Sequence, residues 1–265
     1  MRKQVNYNFY ATLLDGYQNY LSSSEIYDKY WGFSEEPPFT EDEFKEQQFQ
    51  SLIDRINRVP FESEAAEQGT VFNELIDCLI ENRKPAEDSG MIFETDRESG
   101  MINTRYVKSP ELIYNFPFPL PLCLEFANYF KGALTQVRTE AVLPTKYGNV
   151  LLYGYIDELM PVSVHDIKTT KSYTVGNFKN HWQHIVYPYC LNENGNKVND
   201  FEYNVAEINR TKYAVNYNTF TEHYSYNPEI DLPKLTAHVE GLIEFIEYNK
   251  HLITDQKIFN NGNPI

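Results

Sequence analysis

Between residues 136 and 168 the helical period of the apolar residues gives way to short strand-like runs, and this stretch constrains the fold more than any other. QVRTEAVL, NVLLYGYID and VSVHDIK are three short runs rich in β-branched and aromatic residues, with the turn signals KYGN and MP between them. They read as three consecutive antiparallel strands. Before them the pattern is helical. Residues 7–21 predict one helix. Residues 41–59 predict another, with Phe49, Leu52, Ile53, Ile56 and Val59 on one face, an acidic EDE start and Pro60 as its stop. A third begins near Ser63 or Gly69 and runs to Asn82. KPAEDSG, RESG and NFPFPLP mark 83–120 as a loop-rich insert with room for one short hairpin. Helices are expected at 122–134, 176–191 and 233–253, and two further strands at FEYNVAEIN and KYAVNYN. This order predicts an α/β fold, a central mixed sheet flanked by helices, in a single domain. Its parts are a helical N-terminal portion (1–62), a core (63–191), and C-terminal strands and helix (192–265).

Bulk properties bound the function. With 265 residues, 42% hydrophobic and 23% charged, the chain can bury a sizeable core. No apolar run is long enough for a membrane span, and the start lacks the apolar region of a secretory signal. Three widely spaced cysteines, Cys78, Cys123 and Cys190, read as buried thiols of a reducing, cytoplasmic setting, with neither a disulfide framework nor a cluster-binding set. The net charge of −15 opposes nucleic-acid binding at first sight. Its distribution matters more. Residues 1–100 hold 21 acidic against 9 basic side chains, whereas between Arg138 and Lys179 five bases face four acids. The acidic N-terminal region reads as a solvated helical face, with a protein partner as the other use for it.

The strands carry the chemistry. If the two runs flanking Met160-Pro161 form a tight hairpin, Leu159 faces Val162, Asp157 faces Val164 and Tyr155 faces Asp166. Alternation then sets Asp157, Asp166 and Lys168 on one face, with the two carboxylates diagonal and roughly 7–8 Å apart at the backbone. Paired carboxylates repel unless a cation joins them. Mg²⁺ (or Mn²⁺) suits them: it takes oxygen ligands and leaves coordination places for water and a substrate phosphate. A neighbouring lysine orients the attacking water and adds positive charge where negative charge develops. Together these groups describe phosphodiester hydrolysis. Gly154, three residues before Asp157, leaves room for a close backbone approach. Downstream, Gln183 and Tyr187 stand four apart on one helix face, placed either to donate to phosphate oxygens or to hold the lysine and carboxylates. Pro188 should kink that helix. Glu140 could reach the site from the preceding strand, and His165 should point to the opposite face from Asp166. Neither a zinc motif nor a phosphate-binding P-loop is present.

In order and spacing, Gly154-Tyr155-Ile156-Asp157, then Asp166-Ile167-Lys168, then Gln183 through Tyr187 resembles the RecB-type branch of the PD-(D/E)XK nuclease superfamily. AAEQGTVFN at 65–73 resembles that family's first motif, with Asn73 where the family has histidine. The resemblance implies a restriction-endonuclease-like core. It implies Asp157, Asp166 and the Ile167 carbonyl as metal ligands, with Asn73 at a fourth position. Lys168 is then the catalytic lysine, and Gln183 and Tyr187 are supporting site residues. It further implies an exonuclease acting on DNA ends or single strands. Glu74 or Asp77 could compensate for the missing histidine. A nuclease fold kept as a nucleic-acid- or partner-binding subunit is the alternative, motivated by Asn73 and the net charge. A glycoside hydrolase would leave Lys168, Gln183 and Tyr187 without a role.

Overall fold

The structure is a computed structural model that describes residues 5–212 and 214–260. It is an α/β fold built on a mixed six-stranded sheet with helices on both faces, and a second, three-stranded antiparallel sheet packs beside it. In chain order the elements are β1 (Tyr7–Tyr10), α1 (Ala11–Leu21), α2 (Ser23–Trp31), α3 (Glu41–Ile56), α4 (Glu64–Ile80), β2 (Met91–Asp96), β3 (Met101–Val107), β4 (Ile113–Pro119) and α5 (Leu120–Tyr129). They continue with β5 (Leu134–Thr145), β6 (Gly148–Leu159), β7 (Ser163–Thr170), α6 (Gln183–Glu193), β8 (Asp200–Arg210), β9 (Val215–Ser225) and α7 (Pro228–Tyr248).

Local chemistry explains the helix starts. Thr40 caps α3 through a reciprocal pair of bonds with Glu43: the Glu43 amide donates to Thr40 Oγ1 at 3.2 Å, and the Thr40 amide donates to the Glu43 carboxylate at 2.8 Å. Ser63 caps α4, and Asn227 caps α7, which carries Pro228 in its first turn.

Alternation along the strands divides the interior into two apolar layers. Phe201, Tyr203 and Val205 of β8 pack with Leu13, Leu14, Val186, Tyr187 and Leu242, on the face covered by α1, α6 and α7. Ala206 and Ile208 pack with Ile167, Val71, Phe72, Leu75, Phe116 and Phe126, under α4, α5 and the small sheet.

Several sequence expectations are corrected. Residues 7–21 are not one helix: Tyr7–Tyr10 form β1, which joins the main sheet in parallel with Val150–Tyr153, so the N-terminal portion is woven into the core. Residues 83–120 are not a loop-rich insert but mainly the sheet β2–β3–β4. Pro117 and Pro119 disguised β4, yet β4 pairs only with β3, and an edge strand tolerates residues without an N–H. The expected helix at 122–134 ends at Tyr129, and the one at 176–191 begins only at Gln183. The helix expected over 233–253 runs from Pro228 to Tyr248. Of the run KYAVNYN, β9 begins at Val215, and Tyr213 lies outside the described residues.

The hairpin register also differs. Leu159 pairs with Val164 and Glu158 with His165, because Met160–Val162 form a wider turn closed by the Met160 amide donating to the Ser163 carbonyl at 2.9 Å. The slip is two residues from the expected pairing. A two-residue slip leaves side-chain parity along β7 unchanged.

Candidate active site

β6 is the long strand from which the site is built. From Gly148 to Leu159 one edge is paired with β5, except at Asp157. Its other edge is shared end to end: β1 takes Val150–Tyr153 and β7 takes Glu158–Leu159. Gly154–Asp157 border the gap. The β5–β6 ladder is also interrupted here, because Gln136, which lies across from Asp157, holds φ at +49°. Such a conformation is uncommon for a residue with a side chain, and it frees Asp157 from regular pairing.

Asp157 reaches into the seam between β6 and β7. One of its oxygens, Oδ2, accepts from the Ile167 backbone N–H at 2.9 Å and from Asn73 Nδ2 on α4 at 3.1 Å. The expected shared face is therefore met by Asp166 and Lys168, with Asp157 joining them from the seam. Asp166 is almost fully buried. Its Oδ1 accepts a short hydrogen bond from Gln183 Nε2, and the Lys168 ammonium stands 2.7 Å from its Oδ2. Lys168 Nζ also donates to Gln183 Oε1 at 2.9 Å. Gln183 thus clamps the acid with its amide nitrogen and the base with its amide oxygen. Gln183 Nε2 lies 3.4 Å from the Tyr187 hydroxyl as well.

Tyr187 explains Gly154. A Cβ on Gly154 would lie 2.4 Å from Tyr187 Cε1, so the glycine makes room for this ring, not for a backbone approach. Nor does Pro188 break the helix: α6 runs through it from Gln183 to Glu193.

The electrostatics are those of a crowded acidic centre. Burial, and then the charge of Asp166, push the Asp157 carboxyl up to about 8 against the pull of Lys168 and the Ile167 amide. Burial alone would depress the Lys168 ammonium, but Asp166 and Asp157 outweigh it and hold it above its ordinary value.

Directly behind Asp157 lies a second pair, Asp77, which the sequence offered as a substitute for the missing histidine, and Glu158, which it did not mark. Glu158 has no solvent exposure and Asp77 is nearly as buried. Burial first, then neighbouring acids, push Glu158 up to about 10, and burial pushes Asp77 up to about 6. Glu158 therefore carries a proton at neutral pH beside Asp77, which accepts from Gln136 Nε2 at 3.1 Å. A carboxylate next to a motif residue carries no mark of burial in the sequence, and strand parity gave no warning of the irregularity at Gln136.

Both carboxyls hold their protons more tightly when folded than when unfolded, so this pair favours folding at low pH. That contribution is lost as pH rises from about 4 through 6 for Asp77, and on towards 10 for Glu158. Glu158→Gln is accordingly expected to raise the stability of the metal-free protein at pH 8 by at least about 1 kcal/mol, and to flatten its loss of stability between pH 5 and 8. Denaturant melts at several pH values test this. A destabilised variant at pH 8 would contradict it.

The other candidates fall away from the site. Glu140 pairs with Arg138 at 2.6 Å near the surface, and Glu74 is held by Arg83. His165 lies on the opposite face, against Phe130 and bonded to Ser163 and Asn204. All three cysteines are buried free thiols.

The residues fit a hard cation in one sense only. Among the described residues no three His, Cys, Asp or Glu side chains are grouped to hold a metal. The donors present are the carboxylates of Asp157 and Asp166, the Ile167 carbonyl and Asn73 Oδ1. That amide oxygen is buried and without a hydrogen-bond partner. An all-oxygen set with two carboxylates suits an ion such as Mg²⁺ that keeps several waters, and excludes a closed Cys/His cage.

No protein-family model matches the chain, and no curated protein matches it either. Among solved structures it is similar to one described as "Crystal structure of SSO0001", at 17% sequence identity and a TM-score of 0.34. The match covers 47% of this chain and spans only 57% of that one.

Proposed function

We propose that this chain is a Mg²⁺- or Mn²⁺-dependent nuclease that hydrolyses phosphodiester bonds of DNA, acting as an exonuclease on ends or single strands in the cytoplasm. The observation that carries the reading is the Asp166–Lys168–Gln183 clamp beside Asp157. A buried carboxylate with a lysine fixed 2.7 Å away is costly to assemble for stability alone, since apolar residues of similar size serve that purpose as well or better. Perturbed ionisable groups held together at a strand gap mark a site of chemistry.

Asp157, Asp166, the Ile167 carbonyl and Asn73 Oδ1 are the groups that would hold the ion. When bound, it would acidify a water and neutralise charge on a phosphate. The protein's own groups do the rest. Lys168 keeps its proton, so it acts as a positive charge and a hydrogen-bond donor toward the attacking water or a phosphate oxygen. Gln183 fixes the direction of that ammonium and of the Asp166 carboxylate at once. Tyr187, seated on Gly154, anchors the helix from which Gln183 projects.

No helix among the described residues is long and apolar enough to cross a membrane. A binding-only subunit is the second reading. It is favoured by Asn73, whose Nδ2 already donates to Asp157 and so satisfies part of its charge without a metal. Incubation with linear and with covalently closed circular DNA, in Mg²⁺ or EDTA, separates the two. Degradation of linear DNA in Mg²⁺, with circular DNA spared and EDTA arresting the reaction, is the expected result. Binding without metal-dependent cleavage would replace the nuclease by the binding subunit.

A further inference from the structure

Lys168 is only partly exposed, and it lines a groove of about 740 Å³ between α1 and α2 on one side and residues 174–181 on the other. The two walls are joined at their base by Asp15. Its carboxylate accepts from the Trp182 amide at 2.6 Å and pairs with His181 at 3.3 Å. Asp15 thus braces the two walls of a groove whose lining includes Lys168.

Its lining departs from the rest of the molecule. In a chain of net charge −15, the groove carries Lys29, Lys168 and Lys179 against Asp15 and Glu25; with Lys168 paired to Asp166 and Asp15 engaged by His181 and the Trp182 amide, Lys29 and Lys179 face Glu25. Each wall presents an aromatic ring: Tyr30 on α2, 65% exposed with the Lys29 ammonium over its face at 5.5 Å, and Phe178, stacked on Tyr203 at 5.0 Å. An exposed Tyr30 and a half-buried Phe178, interspersed with lysines along a polar groove, suit unpaired bases and their phosphates. A cavity of this size holds a ligand of a few rings.

Resting on the nuclease reading above, we infer that this groove is a single-strand binding channel. Tyr30 stacks a base, and Lys29 and Lys179 contact phosphates of the strand fed toward Lys168. Tyr30, Lys29 and Lys179 are all exposed, so their replacement leaves the core intact.

The test is the affinity of a fluorescein-labelled oligothymidylate of about twelve nucleotides, and of a duplex of equal length, measured in Ca²⁺. The wild type is expected to bind the single strand more tightly. Tyr30→Ala should weaken that binding about fivefold or more. Lys29→Ala and Lys179→Ala should each lower the slope of log affinity against log salt by about 0.7. Tighter binding of duplex, no binding of the single strand, or unchanged affinity and salt slope in all three variants would overturn the channel. Parallel Mg²⁺ assays keep the two readings apart. Cleavage that is indifferent to these three residues removes the channel and leaves the nuclease. Groove-dependent binding without hydrolysis of any DNA removes the nuclease and leaves the channel.

Discussion

Lys168→Met is expected to lower the rate of DNA hydrolysis in Mg²⁺ by about 10²–10³-fold or more, the range seen when one preorganised donor to a developing charge is removed. Methionine keeps an apolar side chain and deletes the ammonium. Three contacts disappear together, the ion pair to Asp166, the hydrogen bond to Gln183 Oε1 and the approach of the ammonium to the Tyr203 ring at 5.7 Å. Binding of substrate through the groove should change far less, so the loss should fall on kcat and not on KM. Lys168→Arg should rescue little, because a planar fork does not reproduce a point charge poised between a carboxylate and an amide oxygen. Because Asp166 loses its buried counter-charge, the fold must be checked separately by thermal melting at pH 5 and 8. A folded Lys168→Met protein that retains activity within tenfold of the wild type would remove Lys168 from the mechanism.

The second large effect is structural. Gly154→Ala puts a methyl group 2.4 Å from Cε1 and 3.0 Å from the hydroxyl oxygen of Tyr187. That ring is 4% exposed and enclosed by the α6 face of the core, so it cannot swing away. Overpacking of this kind costs about 1–3 kcal/mol, equivalent to a fall in Tm of about 2–10 °C for a chain of this size. Displacement of Tyr187 also moves Gln183 on the same helix, so activity should fall further than stability alone explains. Gly154→Ala combined with Tyr187→Ala should recover part of the lost Tm, because the clash partner is gone. An unchanged Tm in the single variant would show that the ring has space.

What could be read in advance follows from where the chain obeys local rules. The runs that became β5, β6 and β7 are rich in β-branched and aromatic residues between clear turn signals, and α3 and α4 carry caps at their starts, so these elements were legible. β1 was not. Tyr7–Tyr10 are four residues that merge with the apolar pattern of α1, and their strand state is imposed by a distant partner, Val150–Tyr153. The small sheet was hidden by prolines and turn residues whose meaning depends on β4 being an edge.

Within the site, parity correctly set Asp166 beside Lys168, and the four-residue spacing of Gln183 and Tyr187 correctly set both on one helix face. Asp157 meets them at the seam between β6 and β7, and the positive φ of Gln136 directly across from it is an irregularity that no residue pattern announces. Glu158 escaped notice for the same reason. In a regular ladder its side chain would follow Ile156 into the apolar layer. Here it meets Asp77 instead.

The end-to-end sharing of one β6 edge by β1 and β7 also bears on the order in which the molecule assembles. β6 and β7 are neighbours in sequence and can pair early, whereas Tyr7 must find Val150 across more than half the chain, and the residues bordering the gap stay open until it does. Long-range strand pairing of this kind is slow, and an unpaired strand edge attracts other chains while it waits. The last segment to dock is therefore the one that closes the ground beside Asp157. The surroundings of Asp157 should be completed at the end of folding, after most of the secondary structure is already in place.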